Sequence, residues 1–291
     1  MTKPIYTPNK LLTVNNTTNN TTDNTIDNTI DNTLSIIIIV KNRQVHLENT
    51  LLSIQSNSPF FSEVVLVHMN QPIQQHLETM VDYKLIQTTF YSTTEQLPLA
   101  KARNLGASLC TSSLLFFLDV DCALHPSACS EYLKASLFHP KDICMSKCLY
   151  LENSIENIST IHLEPSAEHP KRTLNTPLRW QLFWSLSFVI HKDWFNKLGR
   201  FDESFINYGG EDTELSYRNH LANQHLIWVP DAIVYHQPHE NNELPLHHIH
   251  SVVANINYFY EKHGFYIMED WIKGFEQLNL IKLVNKRYQL I

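Results

Sequence analysis

A chain of 291 residues with 43% hydrophobic residues is long enough for one large domain or two small ones, and apolar enough to build a core. Its formal net charge of −7 excludes the strongly basic surface of a nucleic-acid binder, and its apolar fraction excludes a wholly disordered chain. Cysteines at 110, 122, 129, 144 and 148 are odd in number and fit neither a secreted disulfide framework nor a zinc ribbon.

Residues 1–20 carry two lysines and no apolar stretch, so no signal peptide is expected. The longest apolar run, residues 36–40, is far short of the ~20 residues of a membrane helix. The expectation is a cytoplasmic protein with no integral membrane segment. Residues 15–33 (NNTTNNTTDNTIDNTIDNT) have a four-residue period and too little apolar surface to offset ordering entropy. They belong to an expected disordered tail over 1–33, where sequons such as Asn15 and Asn19 are compositional.

The ordered part is expected from residue 34. Residues 34–40 (LSIIIIV) read as a strand buried on both faces. Leu47, Leu51 and Ile54 make a helical stripe over 46–57, and residues 63–68 (EVVLVH) read as a second strand. Pro98 can open a helix whose face carries Leu99, Ala102, Gly106 and Leu109. Residues 113–118 (SLLFFL) make a third strand, followed by Asp119-Val120-Asp121. Alternation of strand and helix predicts an α/β sheet, whose ligands bind beyond the carboxyl ends of the strands. Lys41-Asn42-Arg43, His68-Met69-Asn70 and Asp119-Val120-Asp121 all fall at such ends.

The second half reads differently. Residues 151–178 are polar and irregular, 180–190 aromatic and apolar, and 194–201 a short helix and turn. A loop over 207–210 leads into a helix over 211–222. Short strands over 226–229 and 232–236 are expected on either side of Pro230. From Ser251 the pattern is helical, with Val252, Ile256, Phe259 and Tyr260 on one side.

Two motifs point to chemistry. Carboxylates spaced as Asp119-x-Asp121 after a buried strand can bracket Mg²⁺ or Mn²⁺; a polar strand-end turn is the plainer explanation. In Asn207-Tyr208-Gly209-Gly210-Glu211-Asp212, two of the chain's six glycines are adjacent before a helix. Acids at a helix start are favoured by its dipole in any case, but that does not account for the glycine pair. His236 and His239 end a predicted strand and are candidate ligands, whereas His247, His248 and His250 read as surface or interface. Lys101, Arg103 and Asn104 are candidate contacts to phosphate or a base, or else a solvated helix face. Trp180 and Trp184 fit either sugar stacking or core packing.

The stretches LSIIIIVKNR, LPLAKARNLGAS and LLFFLDVDC resemble the nucleotide-binding half of GT-A glycosyltransferases, especially family 2. WSLSFVIHKDWFNKLGRFDESFINYGGEDTELSYR resembles the galactosyltransferase-type C-terminal domain. The resemblance, over about residues 34–240, implies a GT-A fold: a Rossmann-like mixed sheet flanked by helices, in a single catalytic domain. It implies a nucleotide-sugar-binding half over 34–130 and an acceptor and catalytic half over 131–245, followed by a C-terminal helical segment over 246–291. It implies transfer of a hexose or N-acetylhexosamine, of galactose or GalNAc type, from a UDP-sugar with Mn²⁺ or Mg²⁺.

Carried over by position, the resemblance makes Asp121 a metal ligand and places Asp119 at the metal shell or the ribose. It makes His236, 24 positions past Asp212, the preferred further ligand over His239. Asn42, Arg43, Lys101, Arg103, Asn104, Gly209 and Gly210 become donor contacts. Asp212 is the base of an inverting reaction and Glu211 orients the donor sugar. Retaining GalNAc-transferases resemble GGEN-x-E-L-S-x-R, so Asp212 favours inversion although ELSYR is closer to the retaining group. His68-Met69-Asn70-Gln71 replaces the usual uracil-binding acid and Tyr208 the usual Trp, which loosens the nucleotide assignment and alters the sugar-facing wall. A retaining transferase and a catalytically silent carbohydrate-binding protein are the alternatives. A nucleotidyltransferase would need a glycine-rich phosphate loop that VKNRQVH lacks. The expected acceptor is a glycan or another hydroxyl compound, as in polysaccharide synthesis on the cytoplasmic side, with the chain cytoplasmic or peripheral at the inner membrane face.

Overall fold

The computed structural model describes residues 33–168, 178–239 and 244–291. All of the expected tail except Thr33 lies outside them, as does part of the irregular 151–178 segment.

LSIIIIV forms β1 (Leu34–Val40), buried along its whole length. Successive side chains of a strand point to opposite faces. Accordingly Ile36 and Ile38 join one core cluster, with Leu47, Leu51 and Tyr132, while Ile37 and Ile39 join another, with Ala102, Phe195 and Leu215. One sheet face is thus covered by α1 (Gln44–Ile54) and α4 (Ala128–Phe138), the other by α3 (Leu99–Leu109), α5 (Lys192–Lys197) and α6 (Glu211–Leu221).

β1 pairs in parallel with β2 (Phe61–Met69) and β4 (Leu114–Leu118), and β2 with β3 (Leu85–Phe90). A short helix, α2 (His76–Met80), joins β2 to β3. Beyond β4 the sheet becomes mixed: β8 (Ser187–His191), β6 (Ile143–Leu151), β9 (Leu226–His236) and β5 (Cys122–Leu124), with β7 (Ser166–Glu168) on β6. The full order is β3-β2-β1-β4-β8-β6-β9-β5. The order reverses between β1 and β4, so the crevice at a topological switch opens beside Val40 and Leu118.

Gly106 sets the spacing of α3. A Cβ there would stand 2.6 Å from Ile37 Cγ2 and 3.3 Å from Val67 Cγ2, so its absence lets the helix lie directly on β1 and β2.

Three expectations change. The two strands around Pro230 are one strand, β9. Its register against β6 shifts between Ser146 and Lys147, and the exposed Pro230 and Asp231 sit at that irregularity, where a missing N–H breaks no ladder bond. β3 and β6 were not expected. The half-buried LIQTTF of β3 and the cysteine- and lysine-bearing ICMSKCLYL of β6 lack the continuous β-branched run of β1. The C-terminal segment is not all helix: after α7 (Ile249–His263) and α8 (Glu269–Gln277) it ends in a hairpin of β10 (Ile281–Val284) and β11 (Arg287–Leu290). Asn285 and Lys286 form its turn, both with positive φ, as a two-residue hairpin loop of primed type requires. Among the described residues no helix is long and apolar enough to cross a membrane.

Candidate active site

The end of β1 supplies Arg43 and the end of β4 supplies Asp121, and the two meet at 3.6 Å across the switch. β9 pairs with β5 so that His236 lies opposite Cys122, the neighbour of Asp121. His236 Nε2 is 3.8 Å and His239 Nε2 3.4 Å from the Asp121 carboxylate. One ligand atom from each of Asp121, His236 and His239 falls within 4.8 Å of the others. These separations are at or beyond the outer limit of hydrogen bonding. One carboxylate oxygen and two imidazole nitrogens form a mixed donor set that can hold a divalent ion, Mn²⁺ among them. Burial pushes the His236 imidazole below its usual value, with His239 and Arg43 adding to this and Asp121 opposing it. A neutral imidazole is the form that binds metal. Burial disfavours the Asp121 carboxylate, yet His239, His236 and Arg43 together hold it below the usual carboxylate range.

Gln237 fixes the histidine pair. Its side chain is 2% exposed; Nε2 donates to His46 O (3.0 Å) and Thr50 Oγ1 (3.1 Å), and Oε1 accepts from Asn49 Nδ2 (3.0 Å). Its N–H donates to Asp121 O (2.8 Å), and Thr50 Oγ1 donates to Val120 O (2.8 Å). Helix α1 therefore holds both the Asp121 segment and the histidine segment.

A second group is built on Arg103. This buried side chain donates to Glu211 Oε1 at 2.8 Å and to Asp119 Oδ1 at 3.4 Å. Burial works against its charge, but Asp119, Glu211 and Asp212 raise its pKa further. The acids are strained in the opposite sense. Burial and the Asp212 charge push Glu211 up to about 7, against the pull of Arg103. Burial pushes Asp119 up to about 6, the Asp121 charge adding to it and Arg103 resisting.

Asp212 lies in the first turn of α6 and is half-buried. It accepts from the N–H and hydroxyl of Ser185 (3.3 and 3.4 Å) and from Thr213 N–H (2.6 Å). Among the described residues no ion pair holds it directly. Gly210 begins α6 with φ +99° and Gly209 has φ +93°, so both need glycine.

The structure therefore brings Arg43, Arg103, Asp119, Asp121, Glu211 and His236 into two adjoining groups, with His239 beside His236. Asp119 faces Arg103 and is not one of the three clustered ligand residues. Lys101 and Asn104 are bonded elsewhere. Lys101 pairs with Glu95, and Asn104 donates to Phe201 O and Glu203 (both 2.9 Å) and accepts from Phe201 N–H. Asn42 has φ +55°, and its N–H donates to Gln71. Trp180 packs on Tyr217 and Phe265, as core packing requires.

A family model, glycosyl transferase family 2, matches residues 35–199, more than half of the chain. The chain belongs to this family. This glycosyltransferase is 28% identical to chondroitin synthase of Escherichia coli over 72% of its length. It is 27% identical to validoxylamine A glucosyltransferase of Streptomyces hygroscopicus subsp. limoneus over 79%. It spans 36% of the first relative and 56% of the second. Among solved structures it superposes on GalNAc-T7 with UDP, GalNAc and Mn²⁺ at a TM-score of 0.54 and 18% identity. That match covers 70% of this chain and 43% of the other, and shows the GT-A fold. The family match ends before α6, so Asp212 and His236 lie beyond it.

Sequence reasoning missed Ser185, Gln237 and Glu95. Ser185 and Gln237 act through contacts distant in the chain, and Glu95 both through nearby Lys101 and by accepting from the distant Asn207 N–H (3.3 Å). His239 had a signal: histidines three apart around a proline can serve one ion.

Proposed function

We propose that this glycosyltransferase moves a hexose or N-acetylhexosamine, of galactose or GalNAc type, from a UDP-sugar to a hydroxyl of a glycan acceptor, with inversion. The observation that carries the reading is the convergence of the Asp121–His236–His239 group and the Arg103–Asp119–Glu211 group beside Asp212. A fold shared with a structure holding UDP, GalNAc and Mn²⁺ supports that donor class.

Asp121, His236 and His239 would hold the divalent ion. When bound, it supplies positive charge opposite the leaving diphosphate. Arg43, beside Asp121, offers a guanidinium to the same phosphates. Glu211 and Arg103 orient the donor sugar, and Asp119 faces the nucleotide side. Asp212 is the better placed of the two α6 acids to act as base, because Glu211 is 4% exposed and already paired with Arg103. Asp212 takes the proton of the acceptor hydroxyl as its oxygen bonds to the anomeric carbon and the bond to the diphosphate breaks.

The division into a donor half (34–130) and an acceptor half (131–245) is part of the proposal, as is work on a polysaccharide at the cytoplasmic face. Asp212→Asn is expected to lower transfer by about 10²–10⁴-fold with donor binding retained in calorimetry. Near-normal turnover would remove Asp212 as base. The anomeric configuration of the product, read by NMR, separates inversion from the retaining reading that ELSYR favours.

A further inference from the structure

The loop feeding the two α6 acids is not self-supporting. Asn207 has φ +51°, Gly209 φ +93° and Gly210 φ +99°, three left-handed residues within four positions. Such backbone persists only where its surroundings over-determine it. One side is tied down by the loop before α3: Asn207 Oδ1 accepts from Gln96 N–H (2.8 Å) and Leu97 N–H (3.1 Å). The other side is tied by one residue of α7. Asn255 is 1% exposed. Its Nδ2 donates to the carbonyls of Ile206 (2.8 Å), Tyr208 (3.3 Å) and Gly209 (2.7 Å), and its Oδ1 accepts from Ile206 N–H (3.0 Å). The packing points the same way. A Cβ on Gly209 would lie 3.3 Å from Trp271 and 3.6 Å from Val252, and one on Gly210 2.9 Å from Met268.

We infer that Asn255 is a positioning residue for the transfer reaction: from outside the matched family region, it fixes the Gly-Gly loop and so sets where Asp212 enters the site. The inference rests on Asp212 being the base. The same helix carries its own control. Asn257, 4% exposed, makes an equivalent clamp on another backbone segment: Nδ2 donates to Tyr288 O and Oδ1 accepts from Tyr288 N–H, both at 2.8 Å. Among the described residues its side chain bonds to Tyr288 of the terminal hairpin and not to the loop.

The experiment compares Asn255→Ala, the shape-matched Asn255→Asp and Asn257→Ala for thermal midpoint and for kcat and donor KM with a UDP-sugar and Mn²⁺. The expected result is a kcat at least tenfold lower for both Asn255 variants, with donor KM within about threefold of the parent. Asn257→Ala is expected to lose similar thermal stability and keep kcat within about twofold. Equal kcat losses at 255 and 257, an unchanged kcat at 255, or failure of both Asn255 variants to fold while Asn257→Ala folds would each make Asn255 merely structural. Asp212→Asn in the same assay separates the two readings: if it retains turnover, the base assignment fails whatever the Asn255 variants do.

Discussion

Single residues matter here through what they are paired with. Glu211 and Asp212 are neighbours, yet one is locked to a guanidinium and the other, among the described residues, is held by Ser185 and Thr213. Asp119 and Asp121 differ too: Asp119 faces Arg103, whereas Asp121 faces two imidazoles as well as the Arg43 guanidinium. Asp121→Ala and His239→Ala are expected to weaken Mn²⁺ binding, measured by calorimetry on the metal without donor. Loss of residues that only support ligands typically costs about 10–100-fold, so loss of a ligand should cost at least that. If His239→Ala leaves Mn²⁺ affinity unchanged, the ligand set contracts to Asp121 and His236. Most of this scale was legible in the sequence, because strand-end acids, a glycine pair and a histidine spacing are local signals. Asn104 and Lys101 were legible only as polar residues on a helix; their partners Phe201 and Glu95 come from the fold.

Elements set the distances that the residues need. α3 lies on β1 and β2 only because position 106 has no side chain. Helix propensity favours alanine over glycine by about 1 kcal/mol. Against it stands a 2.6 Å approach to a methyl of Ile37, a β-branched residue locked in the core. Overpacking of this kind costs about 1–3 kcal/mol. Gly106→Ala is therefore expected to destabilise by about 1 kcal/mol net in urea unfolding. A stabilised variant would show that α3 can lift off the sheet freely. Strand β9 teaches a related lesson. Pro230 reads as a break in sequence, but the edge-like irregularity at 230–231 lets one strand run through it and deliver His236 opposite Cys122.

At the scale of the whole molecule, ionisable groups pull in opposite directions. Glu63, buried in β2, is held down to about 2; burial opposes this, and bonds from Ser35, Thr111 and Lys84 outweigh it. Through it β1, the edge beyond β2 and the α3–β4 connection are tied together. An acid with a lowered folded pKa contributes stability that is present above about 4.5 and is lost as pH falls toward about 2. A shift of this size corresponds to roughly 3 kcal/mol. Glu211 and Asp119 have raised folded values, about 7 and about 6, so the native state binds more protons than the unfolded chain up to that range. Their contribution falls as pH rises through it. Denaturant unfolding of the metal-free protein is therefore expected to give highest stability near pH 4.5, falling below it through Glu63 and falling from there to about pH 7 through Asp119 and Glu211. A Glu211→Gln variant should flatten much of the decline between about pH 4.5 and 7; if the decline persists unchanged, Glu211 is not its source.

The strand–helix alternation, the acids beyond β4 and the glycine pair before α6 were determined by local pattern alone, since buried strands and positive-φ turns demand particular residue types wherever they occur. What joined them was decided only by tertiary structure. Pairing of β5 with β9 brings residue 236 next to residue 121, Arg103 bridges two acids far apart in sequence, and an asparagine in α7 holds the loop before α6. A hydrogen bond acts over about 3 Å whatever the sequence separation, so those partnerships exist only once the sheet has formed.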